Sequence, residues 1–351
     1  MASGIKQTPL FEMHITRGAK MAPCGGWNLP LHYYEGIADE HKHACTEAAV
    51  LDHCHALKIR IAGTGAAESL DALLAVPVLD QPAGSCRRNF LLNAQGGVQD
   101  ELLVCAMAEE DFFLLGHAGN TAELLKRALP EDLTWQDLSE LLGKIDLVGP
   151  AACAVLEELD VPEGDLPAPD GCKSQVVAEI PCILIRTETA GMAGFQLCFA
   201  ADYAEDMWEI LLETDPVLPA GQGAWDALRI EAGLARFGSE LTAGTSLIHA
   251  GLASLLRLEE FPERSFAGKE ALLKMPENRK LIKIQLDGRR GARAGSEVLV
   301  NGLAAGRVTG GAYSPLCGSA VAFAWLDTAF AVPGNAVEIS AGNVVLAGKI
   351  L

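Results

Sequence analysis

The stretch Gly96-Gly97-Val98-Gln99-Asp100-Glu101-Leu102-Leu103-Val104 decides how this chain reads. The apolar run Phe90–Asn93 precedes it and Val98–Ala106 continues it, so Ala94-Gln95-Gly96-Gly97 joins two strand-like segments. That is a β-hairpin whose turn needs the positive φ that glycine supplies. Alternation along a strand sends Asp100 and Glu101 to opposite faces. One carboxylate can then point into a pocket while the other meets solvent or a helix. From spacing alone, an acid beside a turn is more often structural than chemical.

Outward from the hairpin, strand and helix patterns alternate. Lys58–Ala62, Phe112–Gly116 and Lys144–Val148 read as strands, as do 175–179, 181–187 and 195–199. Helices fit 36–49, about 64–75, 120–129 with Asn120 as N-cap, the segment opened by Gly149-Pro150 to about Leu159, 201–213 and about 221–233. Residues 9–34 read as an irregular loop dense in glycine and aromatics; Trp27, His32, Tyr33 and Tyr34 are side chains of the kind that line pockets. After about residue 275 the helical pattern stops, and short strands follow at 280–286, 296–300, 303–309, 319–325 and 336–349. The fold class is therefore α+β: antiparallel sheets covered by helices, then a small all-β barrel or sandwich. Lys274-Met275-Pro276-Glu277-Asn278 reads as the linker, which divides the chain into 1–274 and a C-terminal β module, 275–351.

With 351 residues, half of them hydrophobic, the chain can bury more than one core. Its net charge of -19 repels nucleic acid and anionic lipid. The clearest basic patch is Arg279, Lys280, Lys283, Arg289, Arg290 and Arg293, which reads first as a solvated strand pair. Ten cysteines are scattered without a Cys-x-x-Cys pair, several inside apolar runs, which points to reduced thiols in a cytoplasmic protein. No signal peptide and no membrane-length apolar run is expected.

The hairpin is similar to the Gly-Gly-Val-x-Asp-Asp-Leu-x-Val signature of the aminomethyltransferase, or T-protein, family of the glycine cleavage system. Other segments resemble that family in the same order. They include Thr8-Pro9-Leu10-Phe11, Gly25-Gly26-Trp27, Pro30-Leu31-His32-Tyr33 and Val50-Leu51-Asp52-His53-Cys54-His55, the last against a Phe-Asp-Val-Ser-His stretch. Further along come Gly223-Ala224-Trp225-Asp226-Ala227-Leu228-Arg229-Ile230-Glu231-Ala232-Gly233-Leu234, Phe266-Ala267-Gly268-Lys269-Glu270-Ala271-Leu272 and Val308-Thr309-Gly310-Gly311-Ala312-Tyr313-Ser314-Pro315. The resemblance spans nearly the whole chain.

It implies three lobes around a folate pocket, with Asp100 beside N10 of tetrahydrofolate as the catalytic group. The reaction implied moves a one-carbon unit from an aminomethyl group on the lipoyl arm of a carrier protein to tetrahydrofolate and releases ammonia. A fixed carboxylate suits that chemistry, because positive charge develops on the migrating carbon and the folate nitrogen gives up a proton. Tyr33, His117, Gln196, Arg229 and Arg293 are the expected cofactor contacts. Gln196 stands where the family has a glutamate for the pterin, and His117 where it has an amide. Arg229 is either a tail ligand or half of an i, i+3 ion pair with Asp226, and Arg293 is a second tail ligand. Trp225 and Met192 also depart from the pattern. These departures leave two alternatives: a folate-dependent demethylase of a small N-, S- or O-methyl donor, and a non-catalytic folate-binding protein. Asp52-His53-Cys54-His55 is rich in metal-capable side chains, but metal binding requires them to converge on one point, and none is expected.

Overall fold

The computed structural model describes residues 4–117, 119–189, 192–342 and 344–351. The chain divides into two compact units: Met1–Ser69 with Leu79–Arg88 and Leu102–Trp225, and Leu70–Val78 with Asn89–Glu101 and Asp226–Leu351.

The first unit is built on a six-stranded sheet in the order Cys172–Val177, Ile180–Thr189, Met192–Ala200, Leu142–Val148, Ala48–Asp52, Val217–Pro219. Its pairs are antiparallel except the last, which is parallel. Helices Ala152–Glu158 and Ala204–Glu213 lay Val155, Leu156, Met207, Trp208 and Leu211 on Ile145, Leu147, Leu184, Phe195 and Leu197. A second sheet of this unit pairs Leu57–Ala62 with Asp111–Gly116 on one side and Thr134–Asp137 on the other, and the 102–108 part of Val98–Ala108 joins beside Asp111–Gly116. Its Cys105, Phe113 and Leu115 meet Cys172, Ile185 and Cys198 of the six-stranded sheet in one buried cluster. All ten cysteines are free thiols.

The second unit ends in a closed six-stranded barrel, in the order Arg279–Leu286, Ser319–Asp327, Leu303–Ser314, Glu297–Val300, Ala336–Ala341, Val344–Ile350. Ile284, Val298, Val308, Ala322, Leu326 and Ile339 fill it. Closure removes the exposed edges that an open sheet would present. A separate cluster gathers Phe90, Leu92 and Val98 of the hairpin with Leu241, Leu247, Phe266 and Leu272.

Three local readings change. Residues 9–34 are regular, with helix Phe11–Thr16 and hairpin Lys20–Cys24/Trp27–His32, where glycine density had suggested a loop. The 36–49 segment is helical only over Ile37–Thr46, because Ala48–Asp52 is a fully buried strand inside the sheet and burial overrides the helix preference of its alanines. The long 336–349 strand is two strands, reversed at Gly342 with φ +69°. Among the described residues no helix is long and apolar enough to cross a membrane.

Candidate active site

Asp100 is fully buried, and its strand alternates buried Val98, Asp100 and Leu102 with half-buried Gln99, Glu101 and Leu103. The amide of Glu101 donates to Asp100 Oδ1 at 2.8 Å, while Glu101 Oε2 turns the other way and accepts from the Phe237 amide at 3.1 Å. The turn before it is locked from two sides. Asn93 Oδ1 accepts from the amides of Gln95 and Gly97, each at 2.9 Å, and Asn93 Nδ2 donates to Ala243 O. The Val98 amide donates to Thr242 O at 3.0 Å. Gly96 supplies the expected positive φ of +79°. Gly97 is required for a different reason: a Cβ there would lie 1.9 Å from Ala243 O. The second glycine therefore permits close backbone approach rather than an unusual dihedral.

In the first unit, Gln196 is half-buried and stands directly across from Asp146 on the neighbouring strand, so the two side chains share a sheet face. Asp146 is buried and accepts from His53 Nδ1 at 2.8 Å and from Lys144 Nζ. Burial opposes its ionisation, but the charges and bonds of Lys144 and His53 outweigh that and hold the carboxyl well below the ordinary range. The His53 ring lies edge-on to Trp225 at 5.3 Å and to His55 at 5.6 Å, and His55 faces Trp27 at 6.1 Å. His55 Nδ1 is buried with no hydrogen-bond partner among the described residues. Burial first, then His53, pulls the His55 pKa down to about 3, so this ring is neutral at physiological pH. Lys58 Nζ holds the turn carrying both histidines by donating to Cys54 O, Ala56 O and Ser139 O.

The Asp52–His55 segment does not gather ligands around one point. Asp52 accepts from Thr8 Oγ1, His14 Nε2 and the Cys54 amide, Cys54 Sγ reaches Lys144 O, and His53 goes to Asp146. Tyr33 lies in the core of the first unit with its hydroxyl 2.9 Å from His14 Nδ1, and its phenol is pushed up chiefly by burial. Its polar end is thus committed to the His14–Asp52 chain. His117 is exposed, next to Ala118, which lies outside the described residues, as do Ala190 and Gly191, ahead of Met192 and Gln196. His117 is close enough to His55 to disfavour a proton there.

Arg229, in the second unit, is buried. Its Nε bonds Asp226 at 2.7 Å, and its Nη1 bonds Glu240 at 2.7 Å and Leu234 O at 3.3 Å. The ion-pair alternative thus describes its main contacts, with Glu240 as the stronger, unforeseen partner. Arg293 is exposed in the loop before Glu297–Val300 and has no ion pair among the described residues. Elsewhere in the basic stretch, Lys280 pairs with Glu277, Arg279 with Asp327, and Arg289 stacks on Tyr313. Glu240 carried no local signal in the sequence. Lys144 and Asp146 did: two charges two residues apart in an otherwise apolar strand share one face.

Comparison with known proteins agrees with this architecture along the whole chain. Residues 10–260 match the GCVT N-terminal domain, and residues 279–351 match the glycine cleavage T-protein C-terminal barrel domain. The aminomethyltransferase of Saccharopolyspora erythraea is 34% identical over 349 residues, 96% of this chain and 94% of that one. That of Desulforamulus reducens is 32% identical over 99% of this chain and 97% of its own. The crystal structure of glycine cleavage system aminomethyltransferase T from Bartonella henselae matches with a TM-score of 0.90 at 30% identity, covering 99% of this chain and 96% of that one. Fold and relatives together define an enzyme that transfers one-carbon groups. Within that class, the chain belongs to the glycine cleavage T-protein family.

Proposed function

We propose that this protein moves the methylene of an aminomethyl group, carried on the lipoyl arm of a carrier protein, to tetrahydrofolate with release of ammonia. The observation that carries the reading is Asp100: a fully buried carboxylate on a hairpin whose two glycines pack closely against neighbouring backbone. A carboxylate held out of water acts on nearby positive charge far more strongly than one in solvent. It stabilises the charge that develops on the migrating carbon and takes the proton released by the folate nitrogen.

In the first unit, Gln196 and the Asp146–His53 pair suit a reduced pterin. Gln196 offers one acceptor and one donor from a half-buried position, opposite the Asp146 that holds His53. Arg293 has a free guanidinium for a glutamate tail, whereas Arg229 is engaged by Asp226 and Glu240. Tyr33 sits in the core of the first unit with its hydroxyl on His14, and His117 adds an imidazole near His55.

The test is formation of 5,10-methylene-tetrahydrofolate from an aminomethyl-lipoyl carrier. Turnover that requires both the carrier and tetrahydrofolate supports the assignment; no turnover at saturating folate overturns it.

A further inference from the structure

Four side chains on the first unit form one polar and aromatic set: Gln196, Asp146, His53 and Trp225. Gln196 and Asp146 are opposite each other on adjacent strands, and Asp146 carries His53 at 2.8 Å. A carboxylate can only accept, so the proton between them sits on His53 Nδ1. The ring's Nε2 is then a lone pair whenever the imidazole is neutral. That nitrogen has no hydrogen-bond partner among the described residues, although the residue is only 8% exposed. Trp225 edge-on at 5.3 Å restricts the ring further. Asp146 in turn is held by Lys144, so the pair does not depend on a ligand to be stable.

A largely buried acceptor, fixed in tautomer by a carboxylate that shares a sheet face with an amide, is suited to a flat heterocycle with several N–H donors along one edge. Gln196 alone can accept from one such donor; it must present its own N–H to the next. We propose that His53, oriented by Asp146, is a specificity-determining residue of this protein whose Nε2 accepts a hydrogen bond from the 2-amino group of the pterin, completing what Gln196 cannot supply. The inference rests on the folate reading above and adds to it which atoms read the pterin.

Calorimetric titration with tetrahydrofolate of the wild type, His53→Asn and His53→Phe tests it, alongside a tetrahydrofolate analogue lacking the 2-amino group. Asn keeps an N–H for Asp146 but has nothing at the Nε2 position; Phe keeps the packing on Trp225 and loses both nitrogens. The loss of one such bond corresponds to roughly a 3- to 10-fold weaker Kd. Both variants are expected to bind tetrahydrofolate that much more weakly, with a raised KM for folate and an unchanged kcat. The analogue is expected to bind wild type and His53→Asn equally, since its missing donor removes the contact already. If His53→Asn binds tetrahydrofolate like the wild type, or the analogue discriminates the two proteins as tetrahydrofolate does, His53 does not read that edge. If a variant does not fold, the wild type alone decides, because equal affinity for analogue and tetrahydrofolate overturns the inference. A wild type that binds no tetrahydrofolate defeats the folate reading itself, a separate outcome from a wild type that binds and variants that match it.

Discussion

Arg229 Nη1 stands 2.7 Å from Glu240 Oε2, with both side chains shut away from water. The same carboxylate accepts from the Arg236 amide and from Thr309 Oγ1, and the Trp325 indole donates to the Glu240 carbonyl. One buried acid thus ties the end of helix Gln222–Glu231 to two barrel strands. Removing one partner of such a pair leaves a charge without compensation, which costs about 3–5 kcal/mol. Arg229→Met is expected to lower stability by that order in urea unfolding. Arg229→Met with Glu240→Leu is expected to recover part of the loss, since no orphaned charge remains. A single variant as stable as the wild type would remove this network from the account of the fold.

Asp100→Asn keeps the size of the side chain and the oxygen that accepts from the Glu101 amide. What it loses is the negative charge and the ability to take a proton. The rate of 5,10-methylene-tetrahydrofolate formation is expected to fall at least about 10²-fold. The Kd for tetrahydrofolate should stay within about twofold, because the lost interaction belongs to the transition state. Single-turnover kinetics with calorimetry checks both, and a wild-type rate would take Asp100 out of the chemistry.

The hairpin, its buried acid and the switch to short strands after residue 275 were legible because each is a local pattern: glycine turn, period-two alternation, loss of helical spacing. The Ala48–Asp52 strand was not, because its alanines fit a helix equally well and only the surrounding sheet decides. Arg229 was half legible. Its i, i+3 partner Asp226 is visible in sequence, but Glu240 lies eleven residues on, across an irregular segment that no spacing rule describes. His53 shows the same limit. The sequence marks it as one of several metal-capable residues, and only the strand register shows that Asp146 takes it.

Gly97→Ala is expected to damage the hairpin even though its φ is not positive. The new Cβ would lie 1.9 Å from Ala243 O and 2.5 Å from its carbon, and both atoms are backbone. Relief requires moving the segment whose Thr242 carbonyl holds the Val98 amide. A loss of about 1–3 kcal/mol is expected, with activity falling because Asp100 moves with the strand. Gly244→Ala is the control: among the described residues nothing lies within 4 Å of its Cβ, and its effect should stay within about 0.5 kcal/mol. Equal stability of the two variants in urea would contradict the close approach.

His55 gives the protein a specific acid sensitivity. Burial, followed by His53, Lys144 and His117, holds its pKa at about 3 against an ordinary 6.5, with Asp52 opposing. Between those values the unfolded chain holds a proton that the folded chain lacks, so folding stability rises with pH across this window and falls on acidification. The contribution to the slope is at most about 1.4 kcal/mol per pH unit. The depressed carboxyls Asp52 and Asp146 behave differently. Their stabilisation is complete above the ordinary carboxylate value of about 3.9 and is lost only as pH falls below it, so they add little to the slope from about pH 4.5 to 6.5. His55→Gln is therefore expected to flatten the dependence of the urea midpoint on pH over that range. Parallel curves for the two proteins would mean that the imidazole is not held neutral in the folded state.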